Sequence, residues 1–215
     1  MKFDVSKTPK HHIYNLINGL VAPRPIALVT SLSPEGVLNA APFSSFNYLC
    51  LDPPILGFGV AAVPDESRPL KDTARNIEAM GEYVVNVVTE DIGKPMNICG
   101  IDFPSDVSEV EMAGFTTEAS LVVKIPRIKE SHAAMECELY QILKPGPGPA
   151  RIILGKVVAI HVDDQFVDPK GPYILAKELH SIGRMNALSY YVRTRDAFME
   201  IPRLNYEQWK KGERG

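Results

Sequence analysis

The stretch Ala22-Pro23-Arg24-Pro25-Ile26-Ala27-Leu28-Val29-Thr30-Ser31 is followed by Asn39-Ala40-Ala41-Pro42-Phe43-Ser44-Ser45-Phe46-Asn47, and the two share an unusual character. Each carries a short strand-like run that ends in, or runs into, small hydroxyl and amide residues, where a folded domain ordinarily continues with apolar ones. Thr30, Ser31, Ser44, Ser45 and Asn47 together offer neutral donors and acceptors to a ligand held against a sheet. Prolines stiffen both entrances and remove backbone donors. A phosphorylated ligand with a flat polar ring suits such a surface. Arg24, fixed between Pro23 and Pro25, can present its guanidinium in few directions. It has two readings, a bidentate clamp on a phosphate or carbonyl edge and a surface ion pair.

The rest of the chain reads as short strands and turns. Residues 26–32 form a partly β-branched run, Ser33-Pro34-Glu35-Gly36 supplies a turn, and 37–43 can return as the hairpin partner. Asp52-Pro53-Pro54 is a rigid break before a buried strand at 55–60. Asp72 is the expected N-cap of a helix over 73–80, with Gly81 as its stop. A β-branched strand follows at 83–88, then two short helices at 91–100 and 105–114, each opened by a capping residue and closed by glycine. Strands are expected at 134–143 and 151–162, separated by the loop Pro145-Gly146-Pro147-Gly148-Pro149. Alternating βα units are absent, which argues against a doubly wound sheet. Many short strands with tight turns point to a mainly β fold, an antiparallel barrel with short peripheral helices.

With 215 residues the chain reads as a single domain large enough to bury a core. Its net charge of -3 gives no electrostatic case for nucleic acid. No run approaches the roughly 18 apolar residues of a membrane span, and the start lacks an apolar signal region, so the expected location is the cytoplasm. Cys50, Cys99 and Cys137 are odd in number and lack CxxC spacing, which reads as apolar thiols rather than a disulfide or metal set.

Other motifs have bland readings. Gly57-Phe58-Gly59-Val60-Ala61-Ala62 matches the opening of a dinucleotide fingerprint, but Val63-Pro64-Asp65-Glu66 intervenes where a helix should receive the pyrophosphate. Glycines in a barrel strand are the better account. His11-His12 falls in an expected mobile arm and His161 at a strand end facing a polar turn, with no metal spacing. Glu109 and Glu111 read as a solvated helix surface. Lys71-Asp72-Thr73 combines a cation, a hydroxyl and a helix opening, a combination suited to phosphate. The alternative there is a solvated lysine beside an N-cap.

In order, PRPIALVTS, NAAPFSSFN, LDPP and KDTARNI resemble the flavin reductase-like family of FMN-binding split barrels, over residues of about 18–202. Flavoredoxins and the reductase components of two-component flavin monooxygenases belong to that family. Residues 183–191, Gly183-Arg184-Met185 through Tyr191, resemble its C-terminal region near the flavin cleft, although Asn186 departs from the small residue common there, and a local core strand is equally consistent with these residues. The resemblance implies a split antiparallel barrel, a homodimer, and one FMN per subunit held by Arg24, Thr30, Ser31, Phe43, Ser44, Ser45, Asn47, Lys71 and Thr73, with the Lys71 segment at the phosphate. NADH or NADPH would deliver hydride to the flavin. The flavin carries that chemistry, so no catalytic residue and no metal ligand is nominated. A monooxygenase or redox protein is the expected partner. The alternative is a flavoredoxin-like carrier that holds FMN for a partner protein without turnover.

Overall fold

The computed structural model describes residues 1–61, 70–187, 189–196, 198–199, 201, 203 and 205–211. The chain opens with α1 (Lys10–Leu20), where a mobile arm was expected. Ile13, Leu16, Ile17 and Leu20 recur at helical spacing, and His11 and His12 are exposed on this helix. β1 (Ala27–Leu32) and β2 (Leu38–Phe43) form the expected hairpin. Gly36 closes its turn at φ 90°, donating to the Ser33 carbonyl at 3.0 Å.

The Asp52–Pro54 break is the turn of a second hairpin, between β3 (Asn47–Leu51) and β4 (Pro54–Val60). β3 escaped the sequence reading because all five of its residues are exposed, so no buried face imposes alternation. Gly57 and Gly59 lie within β4, as a barrel-strand reading requires; residues 62–66 of the fingerprint argument lie outside the described residues. A Cβ at Gly57 would come within 2.5 Å of Leu49 Cδ1, a close approach that a glycine permits.

The helix α2 (Asp72–Met80) begins one residue earlier than expected. Lys71 holds the capping position, while Asp72 is the first helical residue and pairs with Arg75. Gly81 ends it at φ 72°, the left-handed stop. β5 (Glu82–Val87) follows, then α3 (Gly93–Ile98) and the single turn α4 (Glu109–Met112), both shorter than their expected spans. Asp91 lies outside α3, its carboxylate accepting from Thr89, the Ile92 amide and His132. Two-residue strands β6 (Thr117–Glu118) and β7 (Arg127–Ile128) pair with each other. The long β8 (Ala133–Leu143) and β9 (Arg151–Val162) lie where the sequence places them. β10 (Ile182–Arg184), β11 (Tyr191–Arg193) and α5 (Tyr206–Lys210) complete the described chain.

Seven strands form one sheet in the order β2-β1-β5-β8-β9-β4-β3, every pairing antiparallel. The two edges, β2 and β3, are neighbours in the chain and joined only by residues 44–46. A flat sheet of this size would set its edges about 29 Å apart at about 4.8 Å per strand. The link from Phe43 to Asn47 can span only about 14 Å at full stretch. The sheet must therefore curl into a barrel that stays split between β2 and β3, as expected for the fold.

Curling gives the sheet an inside. Ala27, Val29, Phe43, Leu56, Phe58, Tyr83, Val85, Cys137 and Ile153 fill it, with Ala74 and Ile77 of α2 joining the same core. Leu28 and Ala40 face outward into a second core with Ile92, Met96, Val110 and Phe115 under α3 and α4. β1 is thus covered on both sides, which is why its sequence is apolar without alternation. Burial pushes the Cys99 and Cys137 thiols up to about 12, while Cys50 is exposed. His161, expected to face a polar turn, instead pairs with buried Glu136. Burial works against the Glu136 charge, but His161 and the amides of Leu121, Val123 and Val122 hold its carboxyl down at about 2. No helix among the described residues is long and apolar enough to cross a membrane.

Candidate functional site

The split is where the surface opens. The link residue Ser45 clips the two sides together: its hydroxyl accepts from the Gly59 amide and donates to the Gly59 carbonyl, each at 2.9 Å. Beside it lies a cleft of about 680 Å³ bounded by Phe43, Ser44 and Ser45 from the split, Gly59 and Val60 from β4, and Lys71. Tyr14, Ile17 and Asn18 bring α1 in as a further wall. A volume of this size, with an apolar lining and a few polar groups, lies in the range of small-molecule and cofactor sites. Two smaller hollows adjoin it, one of about 450 Å³ beside Arg24 and Ser44, and one of about 90 Å³ beneath Lys71 and Thr73.

Of the nine expected ligand residues, Arg24, Phe43, Ser44, Ser45 and Lys71 line the cleft. Thr73 lines the small hollow behind Lys71, but its hydroxyl is buried and donates to Asn39 Oδ1 at 2.9 Å. The other three are not brought to the cleft. Thr30 is fully buried on the outward face of β1 and donates to the Pro126 carbonyl at 2.9 Å. Ser31, equally buried, donates to Asn39 Oδ1 at 3.2 Å and accepts from Asn76. Asn47 is exposed at the start of β3 and accepts from the Tyr48 amide. Period-two geometry explains the misplacement of Thr30: adjacent hydroxyl residues on a strand point to opposite faces.

Arg24 is not the surface ion pair of one of its readings. Its residue is only 7% exposed. Nη1 donates to the carbonyls of Asn18 and Val21 at the end of α1, Nε to Ser44 Oγ, and Nη2 to the Asn186 carbonyl. A guanidinium there meets the negative end of the α1 dipole. Arg24 therefore ties three walls of the site together: α1, the split and the C-terminal segment.

Lys71 pairs with Asp102 at 3.1 Å, and its side chain remains about one-third exposed at the opening turn of α2. What fixes that turn is a buried polar chain the sequence reading missed. Glu109, expected on a solvated surface, is only 5% exposed. Its Oε2 accepts from Asn39 Nδ2 at 2.7 Å and from the Ala40 amide at 3.2 Å. Asn39 in turn receives Thr73, and so α4, β2 and α2 are joined. The single turn of α4 lies against β2, which turns this carboxylate inward while Glu111 stays exposed. Burial pushes the Glu109 carboxyl up, and Asp72 adds to that, against the N–H donors that favour its charge. The sequence signal for Glu109 was weak, but α1 had a readable one in its helical apolar spacing.

The donor set fits a phosphate-bearing flavin: an apolar wall at Phe43 and Val60, hydroxyls at the split, and a cation with a helix opening for a phosphate. Comparison with known proteins decides the family. Residues 20–185 match the model of the flavin reductase like domain. The chain belongs to the flavin reductase-like family. An uncharacterized protein of Aquifex aeolicus is 39% identical over 193 residues, 90% of this chain and 95% of that one. The structure of 2-nitrobenzoate 2-nitroreductase from Pseudomonas fluorescens is 35% identical with a TM-score of 0.82, covering 94% of this chain and 96% of that one. Nitrilotriacetate monooxygenase component B from Bacillus cereus is 31% identical with a TM-score of 0.85, covering 93% and 98%. Membership in the family implies a flavin cofactor and a flavin-linked reductase or monooxygenase component.

Glu109 makes a prediction about pH. Its folded-state pKa lies above the unfolded value, so its contribution is fully present below the unfolded pKa and is lost as pH rises through the folded one. Glu109→Gln removes the cost of the buried charge while keeping one acceptor oxygen. The stability of the variant relative to wild type should therefore rise from pH 4 to pH 8, measured by denaturant midpoints. A constant difference across that range would show that Glu109 does not titrate as described.

Proposed function

We propose that the chain is an FMN-binding, NAD(P)H-dependent flavin reductase, with FMN lying in the split of the barrel. The observation that supports this most is the meeting of the Ser44–Ser45 link, the apolar Phe43 wall and Lys71 at one cleft. FMN, when bound, would accept hydride from NADH or NADPH and pass electrons on. The chain's own task is to bind and to orient. Lys71 and the α2 opening would hold the phosphate, Ser44 and Ser45 the polar ring edge, and Phe43 with Val60 an apolar side. Thr73 acts behind Lys71, through Asn39. No residue of the site need act as acid or base.

The assembly we propose is a homodimer, in one cytoplasmic domain over residues 1–215. β3 is an edge strand with Tyr48, Leu49 and Leu51 exposed, the last at 77%, and α1 buries none of its residues. Exposed apolar edges of this kind are usually covered. The electron acceptor we favour is a monooxygenase partner or another flavin, in keeping with the monooxygenase component among its structural relatives.

Titration of purified protein with FMN should quench flavin fluorescence, and light scattering should give twice the chain mass. Lys71→Ala should weaken FMN about tenfold or more, the loss of one charge-assisted contact, and leave riboflavin nearly unchanged. Equal loss for both ligands would place Lys71 away from the phosphate. Under anaerobic mixing, NADH or NADPH should reduce excess FMN catalytically. Slow reduction by both nucleotides, with fast reduction by a protein donor, would identify an electron carrier instead.

A further inference from the structure

Two guanidinium groups share one hollow of the site, with no carboxylate among its described lining residues. Arg24 and Arg184 face each other across an antiparallel bridge, each amide donating to the other's carbonyl at 2.9 Å. Both line the hollow of about 450 Å³ next to the cleft, together with Asn97 and Asn186, and among the described residues no aspartate or glutamate lines it. Among the described residues neither arginine makes an ion pair, although Arg75, Arg127, Arg151, Arg193 and Arg195 all do.

Donor accounting separates the two. A guanidinium has five N–H groups. Arg24 commits four, to Asn18, Val21, Ser44 and Asn186. Arg184 commits two, Nε to the Asn186 carbonyl and Nη1 to the Tyr191 hydroxyl, and its guanidinium lies over the Tyr191 ring at 4.8 Å. Three donors of Arg184 are left, on a side chain held in place by that ring. Holding a buried guanidinium such as Arg24 beside a second, half-buried one is costly unless an anion joins them. Burial and the Arg184 charge push the Arg24 pKa down, the expected response to that cost.

We propose that Arg184, backed by the charge of Arg24, binds an oxyanion carried by the second, exchangeable substrate. The oxyanion is a phosphate of a nicotinamide dinucleotide or the carboxylate of a small aromatic acid. The inference rests on the reading of the split as the flavin site. This hollow shares Tyr14, Asn18, Arg24, Pro42 and Ser44 with the cleft, so an anion held at Arg184 places its owner beside the flavin. The planar fork of Arg184 suits both oxyanions, whereas a lysine would supply charge without the paired geometry.

Full-length wild type, Arg184→Gln and Arg184→Lys, each loaded with FMN, are titrated with NADP+ and NAD+ in one arm and with benzoate and benzamide in the other. Perturbation of the flavin spectrum reports binding. Arg184→Gln should weaken the anionic ligand of one arm about tenfold or more, and the arm affected identifies the source. Arg184→Lys should recover part of that loss, while benzamide and FMN affinities stay within about twofold. Equal loss for benzoate and benzamide without loss in the dinucleotide arm, or no loss in either arm, overturns the proposal. A loss of FMN but not riboflavin affinity also overturns it, by assigning Arg184 to the flavin phosphate. Calorimetric titration of flavin-free protein with inorganic pyrophosphate tests the arginine pair independently: wild type should bind it and Arg184→Gln at least about tenfold more weakly. Wild type that binds pyrophosphate but no FMN would refute the flavin reading alone, and one that binds FMN but no anion would refute only the arginine site. Tyr191→Phe, which keeps both charges, should retain anion binding and serves if Arg184→Gln fails to fold; loss of anion binding by folded Tyr191→Phe would count against the site.

Discussion

The link from Phe43 to Asn47 is the constraint on which the rest of this structure depends. It joins the two outermost strands of a seven-stranded sheet through residues 44–46. Because the edges of a flat sheet would lie about 29 Å apart, this short link forces the sheet to curl and forbids it to lie open. β2 and β3 do not pair with each other, and a cleft opens beside the link that joins them. Ser45 then holds that cleft at a fixed width through its two hydrogen bonds to Gly59.

The polar groups of the site follow from what lies behind them. Lys71 reaches the cleft because α2 starts where it does, and α2 is anchored at both layers. Ala74 and Ile77 sit in the barrel core, while Thr73 is tied through Asn39 to Glu109. Arg24 performs the same service on the other walls, binding carbonyls of α1 and of the segment after β10. In the flavin site we propose, such buried supports would orient the cofactor and leave the exposed side chains to meet it.

Much of this was legible in the sequence, for identifiable reasons. β1, β5, β8 and β9 are β-branched or alternate, and turn residues bound them, so their spans were readable, while β2 was placed by the Ser33–Gly36 turn that leads into it. The family motifs located Phe43, Ser44, Ser45 and Lys71, which the structure brings to one cleft. β3 was missed because it has no buried face to pattern it. Thr30 and Ser31 look alike in sequence but point to opposite faces of a strand buried on both sides, and each finds an internal partner. Glu109 lies on one turn of helix, too short for periodicity to show which way it faces. Arg184 gains its place from a bridge to a residue 160 positions earlier, a contact that local pattern does not encode.

The central claim is that the split itself holds the flavin. The most direct measurement is a crystal structure of the full chain grown with FMN. The account predicts the isoalloxazine ring along Phe43, Ser44 and Ser45, with the phosphate at Lys71 and the opening of α2. A flavin seated anywhere else on the molecule, or a ring at the split with its phosphate away from Lys71, would contradict it.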